Sequence, residues 1–576
     1  MAINNPYVPG DPFSYDLKWI IRKIKEHSIE LSNIDARIAA AIQDQLNQHD
    51  PVYYKTAAEL IASAAKAPSL AYIEGFYAPG DLGANLYYVT NDYNDVLAAD
   101  FYLTLDGPNR WAIYIKTTSY VMPEMFGAVG DGTTDDTDAI IKTFTFDNII
   151  ISNKHFITDS IPVHSGQNVL CYGEFNVDIP YADLTGTKKV FSDDSPVSNF
   201  TWNGGTINGT GVDDPHYLSL FYFENGYNIS MKNVNVFNAP YLFVFCFENC
   251  NFVDVDNVFV NHYSYGGVLF RNGTKNATVR NSKIFNLDIA GSGNGYPISL
   301  SGGITGAFVT SKNVSAINNE IDNSGTIARW EGIDAHGGEN ISVIGNLIKG
   351  CIVGIACFNA SDLAYDLNGM TIANNVIIGR SDGPEGRGIT VGGKNITVTG
   401  NVIKNFTQSD RTAGLYIRIC ENINASGNTI YNCKVGLLMS GNTATVDVNN
   451  NVFTNCGHAT DDAGQSPAIV LTDVQTATYI HHNILHKCDG YFRVAGSLDG
   501  YTSITDNKLN TMIDSSCYYA NNIISDMRTI APSNLHMGNL GDICRPATLT
   551  VGQPVGWICT SAWNGSSVTW TSLGNL

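Results

Sequence analysis

The chain has 576 residues, 44% of them hydrophobic and 15% charged, a composition that excludes a disordered protein. Its net charge of −21 excludes nucleic acid as the main partner, because phosphate neutralisation needs clustered Lys and Arg. No apolar run approaches the roughly 18 residues of a membrane helix, so membrane insertion is not expected either.

The opening stretch MAINNPYVPGDPF has no basic n-region and no apolar core, so no secretory signal is expected there. Twelve Cys are scattered without CxxC or CxxH spacing, which reads as reduced, buried thiols of a cytosol-assembled protein. Residues 16–48 carry a helical pattern within an N-terminal module, 1–50. A seam runs through Leu17, Ile21, Ile24, Leu31, Ile38 and Ile42, with Ser28 and Asp35 interrupting one heptad position. Two readings stand: a coiled coil between copies, or one amphipathic helix lying on its own domain. Residues 51–121 shift to a short helix, TAAELIASAA, and alternating Tyr-rich strands such as LYYVT and WAIYIK, predicting a small α+β domain.

The segment FGAVGDGTTDDTDAI (126–140) opens a third region, 122–530. Its glycines permit a tight turn, and Thr134 to Thr137 offer caps for a helix that would plug an apolar core. Asp131, Asp135, Asp136 and Asp138 lack EF-hand spacing, so they are read as part of the cap and not as a calcium site.

Beyond it one pattern recurs: apolar, variable, small polar, Asn, any residue, apolar. It appears as AINNEI (316–321), VIGNLI (343–348), IANNVI (372–377), VTGNVI (398–403), ASGNTI (425–430), VNNNVF (448–453), IHHNIL (480–485) and ITDNKL (504–509). The Asn falls at 319, 346, 375, 401, 428, 451, 483 and 507, with spacings of 27, 29, 26, 27, 23, 32 and 24. VDVDNVF (253–259) and VRNSKI (279–284) look like degenerate earlier copies. Second strands follow, among them GGVLF (266–270), EGIDAH (331–336), VGIACF (353–358), RGITVG (387–392), AGLYIR (413–418) and VGLLMS (435–440). A unit of about 25 residues with two or three short strands cannot bury its inner face alone. Stacked at the ~4.8 Å strand spacing, such units form a parallel β-helix whose Asn columns can build side-chain ladders. The Asn-x-Ser/Thr sequons, such as Asn199, Asn228, Asn340, Asn395 and Asn424, follow from this repeat and are not read as glycosylation sites. Residues 531–576 read as a short C-terminal β module.

The segment 126–140 resembles the opening signature of the pectate lyase superfamily β-helices found in bacteriophage tail spikes. The stretch TAAELIAS…GFYAPGDLG resembles the small domain leading into such helices, and residues 541–575 resemble the short β modules that end many tail proteins. The resemblance implies an all-β, right-handed, single-stranded parallel β-helix in a homotrimeric spike. It also implies a virion-attached protein whose N-terminus docks to phage tail or collar proteins, folded in the host cytoplasm and acting at the bacterial surface. A bacterial surface glycan is the implied partner, and no particular substrate follows. The NTD, DD, GHG and RIK set of polygalacturonases is only partly echoed by AHGG and YIRI, and NTD is absent, so that mechanism does not carry over.

In such a fold, outward side chains of successive rungs form columns, and the strand ARWEGIDAHGG (328–338) stands out. Ile333 and Ala335 should point inward, which sends Asp334 and His336 outward, about 6.5–7 Å apart along the strand. A carboxylate beside an imidazole is competent for acid–base work, and Glu331 offers the second carboxyl that glycoside hydrolysis uses. Strict alternation points Glu331 inward unless the strand begins after it. Trp330 heads the strand as a sugar platform. Arg271 and Arg418 share the His336 column, Tyr416 shares the Asp334 column, and Arg387 begins another strand, all suited to sugar carboxylates and rings. No cofactor or metal is expected. Two meanings stay open for Asp334 and His336: a structural hydrogen-bonded pair at a Gly-rich turn, or a site. The competing functions are a spike that binds and cleaves polysaccharide, a non-catalytic receptor-binding or structural spike, and a free pectin-degrading enzyme. The lack of an expected secretory signal counts against the last.

Overall fold

The structure, a computed structural model, describes residues 40–42, 44, 50–97 and 101–179, most of 188–509, and short strands between 518 and 574. The expected helical seam from Leu17 to Ile38 lies outside the described residues. The chain divides into two compact units. One holds residues 1–185, 190–213 and 233–235, and the other holds 186–189, 214–232 and 236–576.

In the first unit, the strands Val52–Tyr54, Ser69–Ile73, Asn85–Thr90, Trp111–Ile115 and Tyr102–Thr104 lie in that order across one sheet. The first pair is parallel and the rest antiparallel. Their apolar positions Leu70, Leu86, Tyr88, Ile113 and Ile115 make a core that also takes Ile42, the described seam residue. The helix Ala57–Ile61 begins at Thr56, whose side chain accepts the Glu59 N–H at 3.2 Å.

The signature segment folds around its aspartates. Asp136 is buried; its carboxylate accepts the N–H groups of Val129 (2.7 Å) and Gly130 (3.0 Å) and meets His155 Nδ1 at 2.8 Å. Asp131 accepts from Thr133 and Thr134. At the start of the helix Thr137–Thr143, within the span 134–137, Asp135 accepts the Thr137 N–H at 3.0 Å, because a carboxylate at the turn reaches the first orphan donor of the helix. Behind the helix, Phe144 packs on Trp202 and Phe191, with ring centroids 6.0 and 6.1 Å away, and so closes over the first rungs.

The second unit is a stack of parallel rungs with three faces. On the first face, Phe243–Glu248, Gly266–Arg271, Tyr296–Ser299, Glu331–Ala335, Val353–Cys357, Arg387–Thr399, Ala413–Ser426 and Val435–Ser440 pair in turn. A second face runs from Tyr227–Lys232 through Asn251–Asp256, Lys275–Arg280, Lys312–Ile317, Gly338–Ile344 and Leu367–Ala373. The third, narrower face includes Glu320–Asp322, Leu347–Lys349, Val376–Ile378 and Val402–Lys404. Like side chains stack within the core. Phe221 lies over Phe245 at 5.3 Å, and Phe223 over Phe247 at 5.7 Å.

The repeated Asn forms one buried ladder. Asn319, Asn346, Asn375, Asn401, Asn428, Asn451, Asn483 and Asn507 each pass an amide hydrogen bond to the next at 2.9–3.0 Å. Each also accepts or donates to main chain, as Asn401 does by donating to the Ile372 carbonyl and accepting the Asn375 N–H. In the degenerate copy VRNSKI, Ser282 takes the Asn place and accepts the Val258 N–H. A second, exposed set of Asn sits at left-handed turns; Asn395 (φ 56°) bonds Asn368 at 2.7 Å. The nine described cysteines are buried. At the end of the chain, Ile543–Pro546, Trp557–Ser561 and Thr569–Ser572 pair antiparallel. Among the described residues no helix is long and apolar enough to cross a membrane.

Candidate functional site

Ile333 and Ala335 point into the core, as alternation requires, and both are fully buried. Asp334 and His336 point outward, and their side chains bend together until Asp334 Oδ2 lies 3.6 Å from His336 Nε2. Glu331 departs from the inward expectation. Its Oε2 approaches the same Nε2 to 3.3 Å. The cause is Gly332. A Cβ there would lie 2.6 Å from the Gly354 carbonyl oxygen and 2.8 Å from Ile348 Cγ2, so the chain kinks inward at a residue without a side chain. Two consecutive positions, Gly332 and Ile333, then face the core, and Glu331 is returned to the outer face.

The three side chains form a compact group with one donor atom from each lying within 4.8 Å of the others. Asp334 and Glu331 are only 2% and 4% exposed, while His336 remains partly accessible. Among the described residues, Asp334 Oδ1 and His336 Nδ1 have no hydrogen-bond partner, and Glu331 Oε2 has none beyond its 3.3 Å approach to His336. Burial drives the Asp334 pKa well up, and the neighbouring Glu331 adds to it; His336, Ser299 and Arg271 pull the other way. His336 moves up to about 9: burial lowers it, but contact with Glu331 and the charge of Asp334 outweigh that cost. Both shifts favour a group that keeps protons near neutrality. Two carboxylates and an imidazole are also a donor set for a divalent cation.

The other candidates distribute as follows. Tyr416 lies in the Asp334 column, through Ala356 and Thr390. Arg387 lies two rungs from Glu331 in its own column. Arg271 pairs in register with Glu248 and is held by it at 3.3 Å, with its guanidinium carbon 4.9 Å from the Phe243 ring centre. Arg418 reaches the Phe358 ring at 5.1 Å, and Arg387 the Tyr416 ring at 4.5 Å. Trp330 lies outside the described residues.

The rings nearest the acidic group were not singled out from sequence. Phe358 stands 5.0 Å from His336 and Tyr296 6.4 Å, edge-on, and Tyr265 continues from Tyr296 at 5.4 Å. Phe358 was findable, since it ends VGIACF where His336 ends EGIDAH. Tyr265 and Tyr296 sit at the starts of their strands, where alternation gives no guidance.

Residues 363–509 match the family model described as right handed beta helix region. No curated protein matches the sequence. Among solved structures, the chain is similar to PfbA, a surface adhesin of Streptococcus pneumoniae, with 16% identity over 61% of this chain and 94% of that one, at a TM-score of 0.44. It is similar to the pre-mature gene product 12 of bacteriophage phi29, with 13% identity, 79% and 81% coverage, and a TM-score of 0.44. It is also similar to a mutant tailspike protein of E. coli bacteriophage HK620 in complex with a hexasaccharide, with 14% identity, 70% and 78% coverage, and a TM-score of 0.48. The stacked parallel rungs and the family match define a right-handed parallel β-helix, with an acidic group and an aromatic ridge on one outer face.

Proposed function

We propose that this chain is a phage tail spike that binds and hydrolyses a bacterial surface polysaccharide through Glu331, Asp334 and His336. One observation carries the reading: two nearly buried carboxylates converge on one partly accessible imidazole at the foot of an outward aromatic ridge. Asp334, kept protonated by burial, is the donor to the departing glycosidic oxygen. Glu331 is the second carboxyl, and a retaining mechanism gives it the role of nucleophile. Its attack on the anomeric carbon gives a glycosyl ester that water then cleaves. His336 touches both carboxylates and sets their protonation. Its raised pKa disfavours it as the free base that β-elimination would need at neutral pH. Trimerisation, tail docking and virion location are supported by the sequence resemblance of segments 126–140 and 541–575.

The test is incubation of the full chain with purified polysaccharides from a host panel, with and without EDTA. New reducing ends without unsaturated-uronate absorbance are expected, and EDTA should change nothing. Ultraviolet absorbance would make the chain a lyase. Loss in EDTA with recovery on added cation would make the three residues metal ligands. Binding with no cleavage across the panel would leave a non-catalytic spike.

A further inference from the structure

The outer face is electrically lopsided about the acidic group. Toward the N-terminal rungs, Arg271 is neutralised by Glu248. Toward the C-terminal rungs, Arg387 and Arg418 meet no carboxylate among the described residues, and each guanidinium instead lies over a ring, Tyr416 and Phe358 respectively. In a chain with 54 acidic and 33 basic residues, two partially buried guanidiniums that pack on rings and on no carboxylate among the described residues are unexpected. The arrangement is also built. Arg418 stands one rung beyond Gly392 and leans back across it. A Cβ at Gly392 would lie 3.5 Å from Arg418 Cγ and 3.1 Å from Phe358 Cβ. The absent side chain lets the arginine lie flat over Phe358, whose ring is itself 5.0 Å from His336. Tyr416, beneath Arg387, is fixed by a 2.7 Å hydrogen bond between its hydroxyl and Ser440.

Stacking orients a guanidinium with its N–H edge free, and that edge matches the two oxygens of a carboxylate or phosphate. Because rungs step by ~4.8 Å, Arg387 sits about 9.6 Å along the axis from Glu331, a reach of the order of two sugars. We propose that Arg387 and Arg418 form a subsite for an anionic sugar, one carrying a carboxylate or a phosphate, on the C-terminal side of the cleavage point. The uncharged units of the chain would then lie along Tyr265 and Tyr296. This deepens the glycan-cleaving reading and rests on it for its biological sense, but the subsite can be tested without knowing the host.

The full-length protein is titrated calorimetrically with sodium glucuronate, sodium glycerol 3-phosphate and glucose. Saturable binding of one of the two anions is expected, with glucose silent. Arg387→Gln and Arg418→Gln should each weaken it about tenfold, the usual scale for one charge-assisted contact. Arg418→Lys, which keeps charge but loses the planar fork, should fall between, with all unfolding midpoints unchanged in buffer. The preferred anion decides between carboxylate and phosphate. No saturable binding of either anion, or binding indifferent to all three substitutions, would overturn the subsite. Host-glycan cleavage surviving that result would leave the enzymatic reading intact, while anion binding without any glycan cleavage or capture would remove the enzyme and keep the subsite.

Discussion

Glu331 opens a strand and His336 follows its last residue, five positions on, yet their side chains touch at 3.3 Å on the same outer face. In an unbroken strand an odd separation would place them on opposite faces. The contact exists because Gly332 turns inward against Ile348 and Gly354. Gly332→Ala should therefore displace Glu331. Turnover on a cleaved glycan should drop by at least about tenfold, beyond a stability loss of about 1–3 kcal/mol from overpacking. Retained turnover with lowered stability would show that the kink has no bearing on the site.

Asp334→Asn keeps the shape of the side chain and removes its proton-donating acid. Turnover should fall by about 10²-fold or more, the usual worth of a general acid. The unfolding midpoint should hold, because a carboxyl already kept neutral by burial is replaced by a neutral amide of the same shape. A fall in stability with little change in rate would assign Asp334 to structure.

The acidic group also makes stability depend on pH. For His336 the folded-state pKa is raised to about 9 against an ordinary value of about 6.5. Its contribution is fully present below about 6.5 and is lost as pH rises through about 9. Asp334 is raised too, so the folded state holds its proton where the unfolded state releases it, and this contribution likewise declines as pH rises. The wild-type midpoint should therefore drop between pH 6.5 and 9 relative to a variant carrying His336→Gln and Asp334→Asn. Parallel midpoints across that window would count against the shifts.

Within the ladder, the Asn401 side chain makes five hydrogen bonds: it accepts from Asn375 N–H and Nδ2 and donates to Asn428 and to the Ile372 and Thr399 carbonyls. Asn401→Ala should cost about 3 kcal/mol or more in denaturant unfolding, since several buried groups lose partners together. The exposed Asn395→Ala loses two solvent-facing bonds, to Asn368 and from Asn422, and a residue type tolerant of φ 56°, at a cost of about 1 kcal/mol. Equal costs would mean the buried ladder adds nothing special.

In the first unit, Asp136→Ala would strand His155 and the N–H groups of Val129 and Gly130. About 3–5 kcal/mol of destabilisation is expected from breaking a buried ionic network. Glycan turnover of the protein that remains folded should be unchanged. A loss of specific activity without unfolding would instead give the signature aspartates a role in function.

How much was legible can be argued from particular residues. The eight ladder asparagines were placed correctly because the repeat is local: each copy carries its own turn, its own apolar pair and its own amide. The outward direction of Asp334 and His336 followed from alternation for the same reason. Alternation leaves the direction of Glu331 open, because it depends on Gly332 packing against Ile348, on another face, and Gly354, in the next rung, neither of which a single strand's period shows. Tyr296, Tyr265 and the backward lean of Arg418 were equally hidden, since each is set by side chains a rung or two away.

By itself, the amino-acid order determined that like strands would stack in parallel, with the Asn in one buried column and the apolar residues inside. Periodic local preference is enough for that. Only the tertiary structure decided that two carboxylates and an imidazole share one point on the surface, and that two guanidiniums beside it lack a counter-charge among the described residues. Proximity across rungs is a property of neighbours distant in sequence, and no local pattern encodes which of them is missing a partner.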